Sequence, residues 1–197
     1  MEDGRVVALL ELEDERSRVR LVPDLGGAIA DMDAKLSGRL APVLRRWDGP
    51  QTGWIGVGSN ILVPFSNRIS GGGFYFDQGG SATFHPLHPN VENLDPFPLH
   101  GDGLLKSWQV VSHSSTDVIL RLVNGEIGDF LYTAEVRYLL SSGTLNITLR
   151  VTNKGIRLPF GGGFHPWLPR CSDTRLQFNA EAVWLEDNLH LPTEQIA

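Results

Sequence analysis

The sequence predicts an all-β fold, and three observations carry the prediction. Apolar residues recur with a period of two, the mark of half-buried strands. Turn pairs such as Ser37-Gly38, Asp48-Gly49, Asn124-Gly125 and Asn153-Lys154-Gly155 recur between short apolar runs, as in sandwiches and barrels. Glycine (22) and proline (12) together supply 34 of 197 residues, which disfavours a helical bundle.

The elements follow in order. Arg5–Leu12 and Ser17–Val22 read as strands of an N-terminal hairpin spanning Gly4–Val22, folded around the charged run Glu13-Asp14-Glu15-Arg16. Ala28–Asp33 is the next strand, and Trp108–Ser112 and Val118–Leu122 follow after a long interval. The clearest pair comes next. Ala134, Val136, Tyr138 and Leu140 alternate with polar residues over Thr133–Leu140, and Leu145, Ile147, Leu149 and Val151 alternate over Leu145–Thr152. Ser141-Ser142-Gly143 joins them as a hairpin connection, and the Leu145–Val151 apolar face is expected to point inward. Arg175–Ala180 is a last strand candidate. The irregular region is Gln78–Gly103, which holds Pro86, Pro89, Pro96 and Pro98 together with His85, His88 and His100. Proline cannot donate to a central ladder, and long loops in compact β proteins tend to carry function.

Composition narrows the function. Seventeen basic against 23 acidic residues give a net charge of −6, which argues against a nucleic-acid or anionic-membrane binder. The lone Cys171 excludes an internal disulfide framework and a cysteine-rich zinc site. The start of the chain shows no signal-peptide pattern, and no run approaches the roughly 18 apolar residues of a membrane helix, so a cytoplasmic protein is expected. His85 and His88 are three apart, but Pro86 and Pro89 deny them a helical metal-binding face. Neither triple glycine opens a phosphate-binding loop, and there is no G-x-S-x-G nucleophile elbow.

Three motifs stand out. The first is Pro64-Phe65-Ser66-Asn67-Arg68-Ile69 with Gly71-Gly72-Gly73-Phe74; Arg68 offers a planar fork for oxygen ligands. The second is Pro98-Leu99-His100-Gly101-Asp102-Gly103. The third is Gly161-Gly162-Gly163-Phe164-His165-Pro166-Trp167-Leu168, where Pro166 pushes His165 toward an extended backbone and Trp167 presents a flat apolar face. Taken singly, each also fits an ordinary strand end, polar turn or core contact.

Taken in order, with Leu25-Gly26-Gly27 before them and Leu191-Pro192-Thr193 after, they resemble the aldose 1-epimerase (galactose mutarotase) family, from about Gly26 to Thr193. The resemblance implies a galactose mutarotase-like β supersandwich, with residues 1–197 forming one domain of that type that lacks its C-terminal part. It implies a sugar cleft in which His165 is the general acid toward the pyranose ring oxygen. His100 would hydrogen-bond the same end of the sugar, Arg68 would bind hydroxyls, Asn67 would shape the site and Trp167 would lie against the ring. The implied partner is a free hexose, with no cofactor and no metal. Opening a hemiacetal needs a proton delivered to the ring oxygen and another removed from the anomeric hydroxyl, and histidine titrates where it can do the first.

The family's carboxylate base and a further sugar-contacting Asp match no residue here. Glu181, Glu186, Asp187 and Glu194 lie outside the expected motifs. The resulting expectation is a mutarotase-like chain that by itself lacks most activity. The alternatives are a non-catalytic sugar-binding or regulatory protein on the same fold, a structural β domain completed by another chain, and a sugar-phosphate epimerase, although no basic cluster for a phosphate is visible.

Overall fold

The computed structural model describes residues 7–77, 79–91 and 94–197. The strands are β1 (Leu10–Glu13), β2 (Ser17–Val22), β3 (Ala28–Leu36), β4 (Arg39–Pro42), β5 (Ser59–Leu62), β6 (Gly73–Asp77), β7 (Ala82–Pro86), β8 (Gln109–His113), β9 (Asp117–Ile127), β10 (Phe130–Ser141), β11 (Thr144–Asn153), β12 (Gly163–Pro166), β13 (Val183–Glu186) and β14 (Pro192–Ile196). Helix is confined, among the described residues, to 3-10 turns at Pro50–Ile55 and Gly103–Leu105. None is long and apolar enough to cross a membrane.

Two antiparallel sheets share one core. The first runs β1-β2-β3-β5-β12, with β4 also on β3; the second runs β11-β10-β9-β8. Val19 and Leu21 of β2, Ile29 of β3 and Ile61 of β5 meet Val118, Leu120 and Leu122 of β9 and Ala134, Val136, Tyr138 and Leu140 of β10. The alternation read from the sequence therefore marks the face each sheet turns toward the other. Two tyrosine hydroxyls cross the core. Tyr138 donates to the Gly27 carbonyl at 2.7 Å, and Tyr132 donates to Asp102 Oδ1 at 2.6 Å.

Several expectations hold in detail. Ser17–Val22 is β2, and the β10–β11 hairpin pairs Ser141 with Thr144 and continues to Tyr132 and Asn153. The N-terminal hairpin forms, with Asp14 Oδ1 accepting the backbone N–H groups of Arg16 and Ser17. Gly4, Arg5 and Val6 of the expected first segment lie outside the described residues, as does Gln78 at the start of the irregular region. That region nevertheless contains β7, paired with β6.

Two expectations are corrected, and a third holds with a qualification. Asn124-Gly125 is no turn, because β9 continues through it, with a register shift against β10 just before Gly125. A Cβ on Gly125 would lie 2.3 Å from the Tyr132 ring, so this glycine makes room for a cross-strand aromatic. The turn falls at Gly128-Asp129 instead, where Gly128 has φ +54°. Arg175–Ala180 forms no strand. It has no ladder partner among the described residues, and Leu176 and Phe178 remain exposed. The Leu145–Val151 face does turn inward, but it is only half-buried because β11 is the outermost strand of its sheet.

Candidate functional site

The site is built on β5 and the two loops that cross beyond it. All four residues of β5 are buried: Ile61 enters the core, while Asn60 and Leu62 face a cleft of about 570 Å³. The chain then passes Pro64 and Phe65 to Asn67 and Arg68, where Arg68 forms an isolated bridge with Leu99. This bridge brings the second motif beside the first. The His100 N–H donates to the Asn67 carbonyl at 2.9 Å, and the Asn67 N–H donates to His100 Nδ1 at 2.9 Å. Because Nδ1 accepts, the neutral His100 ring carries its proton on Nε2.

Both residues of this reciprocal pair adopt left-handed backbone, Asn67 at φ +58° and His100 at φ +60°. Such strain persists where surrounding contacts over-determine it. Asn90 supplies much of that constraint. Its Nδ2 donates to the carbonyls of Leu99 and Gly101 at 3.0 and 2.6 Å, and its Oδ1 accepts the Leu99 N–H at 2.7 Å. Gly101 is required next to His100, because its φ is +74° and a Cβ there would lie 2.1 Å from the Val63 carbonyl oxygen.

Arg68 is held by a neighbour that sequence reasoning missed. Its Nε donates to Asp95 Oδ2 at 2.7 Å, with Asp95 almost wholly buried. Asn67 Oδ1 accepts from Arg68 Nη1 at 3.3 Å, so Asn67 acts on the site through Arg68 and His100.

The third motif arrives on β12, which pairs with β5 so that His165 stands directly opposite Asn60. The His165 ring meets His100 edge-on at 5.5 Å between centroids and stacks on Trp167 at 4.8 Å. Arg45 lies 4.4 Å from the Trp167 ring centroid, and its backbone N–H donates to the Trp167 carbonyl at 2.7 Å. Its guanidinium also donates to the carbonyls of Ile55 and Val57. One arginine therefore ties the wall carrying Trp54 and Ile55 to the wall carrying His165 and Trp167.

Arg68, His100, His165 and Trp167 thus converge on one cleft from three separated stretches of sequence. Asn67 lies just behind them. The turn between β13 and β14 adds Asn188, Leu189 and His190 to the rim, and His190 Nδ1 is hydrogen-bonded to Glu186 at 2.9 Å. Asp95, Asn60, Trp54 and His190 were not selected from the sequence. Of these, only Asp95 sat in a region already marked as functional, the proline-rich loop before His100.

Electrostatics set the charge state of His100. Burial, reinforced by the nearby His165 and the Arg68 cation, pushes His100 down to about 4, so at neutral pH it is an uncharged Nε2–H donor. His85 stands apart from the cleft, buried and packed at a tilt against Phe74, with Nδ1 2.8 Å from Asp129. Cys171 is exposed, within 3.0 Å of Asp173 Oδ1. No group of three or more His, Cys, Asp or Glu among the described residues is arranged to hold a metal ion.

The family model for aldose 1-epimerase matches residues 8–197. An uncharacterized Escherichia coli K12 protein, YphB, is 44% identical over 126 residues, 64% of this chain and 41% of its own. A crystal structure from E. coli K12 described as a candidate aldose 1-epimerase superposes with a TM-score of 0.85 at 33% identity, covering 97% of this chain and 62% of that one. A C. elegans GalM/aldose epimerase homologue superposes with a TM-score of 0.72 at 18% identity, covering 95% and 60%, which speaks to fold alone. The fold is galactose mutarotase-like, and the chain spans less than two thirds of the length of these relatives.

Proposed function

The chain belongs to the aldose 1-epimerase family, and from that premise we propose that it binds a free hexose in the cleft and interconverts its α and β anomers. The observation that supports this reading is the convergence of a stacked His165–Trp167 pair, an uncharged His100 and an anchored Arg68 on one cleft. A pyranose offers an apolar face and a polar edge. Trp167 suits the face, and Arg68, held by Asp95, suits the hydroxyls.

His165 delivers a proton to the ring oxygen, and the C1–O5 bond opens as the anomeric hydroxyl loses its own proton. His100 donates its Nε2–H to the same end of the sugar without changing charge. Rotation about C1–C2 lets the ring close on the other face, and His165 recovers the proton. The residues form one sugar-binding domain in this reading.

A second reading has its own observation. Among the described residues that line the cleft the only carboxylate is Asp95, and it is committed to Arg68. Glu186 is paired with His190, and Asp187 Oδ1 accepts the N–H groups of Leu189 and Leu191. A cleft with an acid and no free base fits sugar binding without turnover. General base catalysis is typically worth ~10²–10⁴-fold, so the two readings separate clearly in rate.

The test is polarimetry of freshly dissolved α-glucose and α-galactose, beside calorimetric titration with the same sugars. Accelerated mutarotation that His165→Ala abolishes supports the enzyme. Saturable binding with the buffer rate of mutarotation selects the binding protein. Absence of binding for any hexose overturns both.

A further inference from the structure

Asn60 carries an unexplained polar atom at the centre of the site. It is 4% exposed and lines the cleft from β5. Its Nδ2 donates to the Trp54 carbonyl at 3.1 Å, which fixes the orientation of the amide. Its Oδ1 is sealed from solvent and has no hydrogen-bond partner. A buried acceptor left alone costs about 1–3 kcal/mol, and such atoms call for a specific explanation.

The atom's position narrows the choice of donor. An oxygen that water does not reach is not reached by a sugar hydroxyl either, so the donor must come from the protein. The strand register sets Asn60 directly opposite His165, with both side chains on the cleft side. Opposed residues of an antiparallel pair have Cβ atoms about 4.5–5.5 Å apart, within reach of an imidazole N–H. The His165 ring is gripped by Trp167 and His100 through ring contacts, and among the described residues its nitrogens make no hydrogen bond. Stacking fixes the plane of the ring but leaves open which nitrogen faces which way.

We propose that Asn60 is the positioning residue of His165: Oδ1 accepts one imidazole N–H and so commits the other nitrogen to the sugar. The inference rests on the reading of His165 as the acid. It adds a reason for that acid to present one nitrogen in every turnover. The bond forms by a flip of the His165 ring about its Cβ–Cγ bond, which keeps the ring in the plane set by Trp167, and the proton shared with Asn60 is never released. The proton on the far nitrogen is the one exchanged with the ring oxygen.

Long-range ¹H–¹⁵N spectra of the 197-residue protein, recorded above the range of imidazole titration, test this without requiring turnover. His165 is assigned by comparison with His165→Gln. The expected result is a single tautomer for His165 in the native protein and an averaged mixture in Asn60→Leu. Asn60→Asp should restore the single tautomer. It keeps an oxygen opposite His165 while losing the donor to Trp54, so its recovery excludes the Trp54 contact as the cause. If Asn60→Leu does not melt cooperatively, Asn60→Ala carries the comparison. An identical His165 spectrum in the native and acceptor-less proteins overturns the proposal. In the mutarotation assay the acceptor-less variant should lose about a hundredfold in kcat, the scale of a misoriented catalytic group, with KM little changed. Titration with hexose is read in the same spectra. If the His100 and His165 signals do not move, the sugar reading fails while the tautomer comparison still decides the role of Asn60.

Discussion

Neutral His100 is the residue whose environment most constrains the chemistry. With its titration pushed from 6.5 to about 4, it binds protons less readily folded than unfolded. The stability linked to this group is present above about pH 6.5 and drains away as pH falls toward 4. An NMR titration should show His100 remaining uncharged through pH 5, with thermal stability declining over the same interval; His100→Gln should flatten that part of the decline. Asp95 makes the second residue-scale case. Asp95→Asn removes the carboxylate that fixes Arg68 and leaves a part-buried guanidinium loosely held. Hexose affinity should weaken about tenfold, roughly 1.4 kcal/mol, by calorimetry. Unchanged affinity would show that Arg68 needs no anchor. Neither behaviour is legible in the sequence, because each depends on a neighbour brought in from another loop.

At the scale of elements, legibility follows the source of the signal. β2, β10, β11 and the first half of β9 are legible as alternation because their side chains sort cleanly between core and solvent. β5 escaped because all four of its residues are buried, which erases the period of two. β12 escaped because it is four residues long and begins at a glycine run. These two strands carry Asn60 and His165, so the weakest strand signals belong to the floor of the cleft. The motif residues were found by their resemblance to a family, and their supports at Asn90, Asp95 and Arg45 have no local signature. The β10–β11 hairpin offers a quantitative check. Ile147 is half-buried against the core, while Thr148 is exposed opposite Arg137. Ile147→Asp should cost about 2–3 kcal/mol in chemical denaturation and Thr148→Asp about 0.5 or less. Equal losses would mean that the inward face of β11 contributes nothing to the core.

For the whole molecule, two sheets are joined by a shared apolar layer and by a few polar bonds that cross it. Tyr138 is wholly buried, and burial alone pushes its hydroxyl far above the ordinary tyrosine range, so it serves only as a donor. Tyr138→Phe leaves the Gly27 carbonyl without that donor and should lower unfolding stability by about 1–2 kcal/mol without altering the circular dichroism spectrum. The four-stranded sheet ends at β11, whose ten residues carry one charge, Arg150. That border has a practical meaning for handling the protein. A long, nearly uncharged margin of backbone is a template on which partly unfolded copies can add strand by strand, so concentration rather than ionic strength should govern shelf life. A lysine at Thr148 should extend the lag before turbidity appears in a concentrated, warmed sample, which makes the outermost strand the place to engineer when the protein is to be stored.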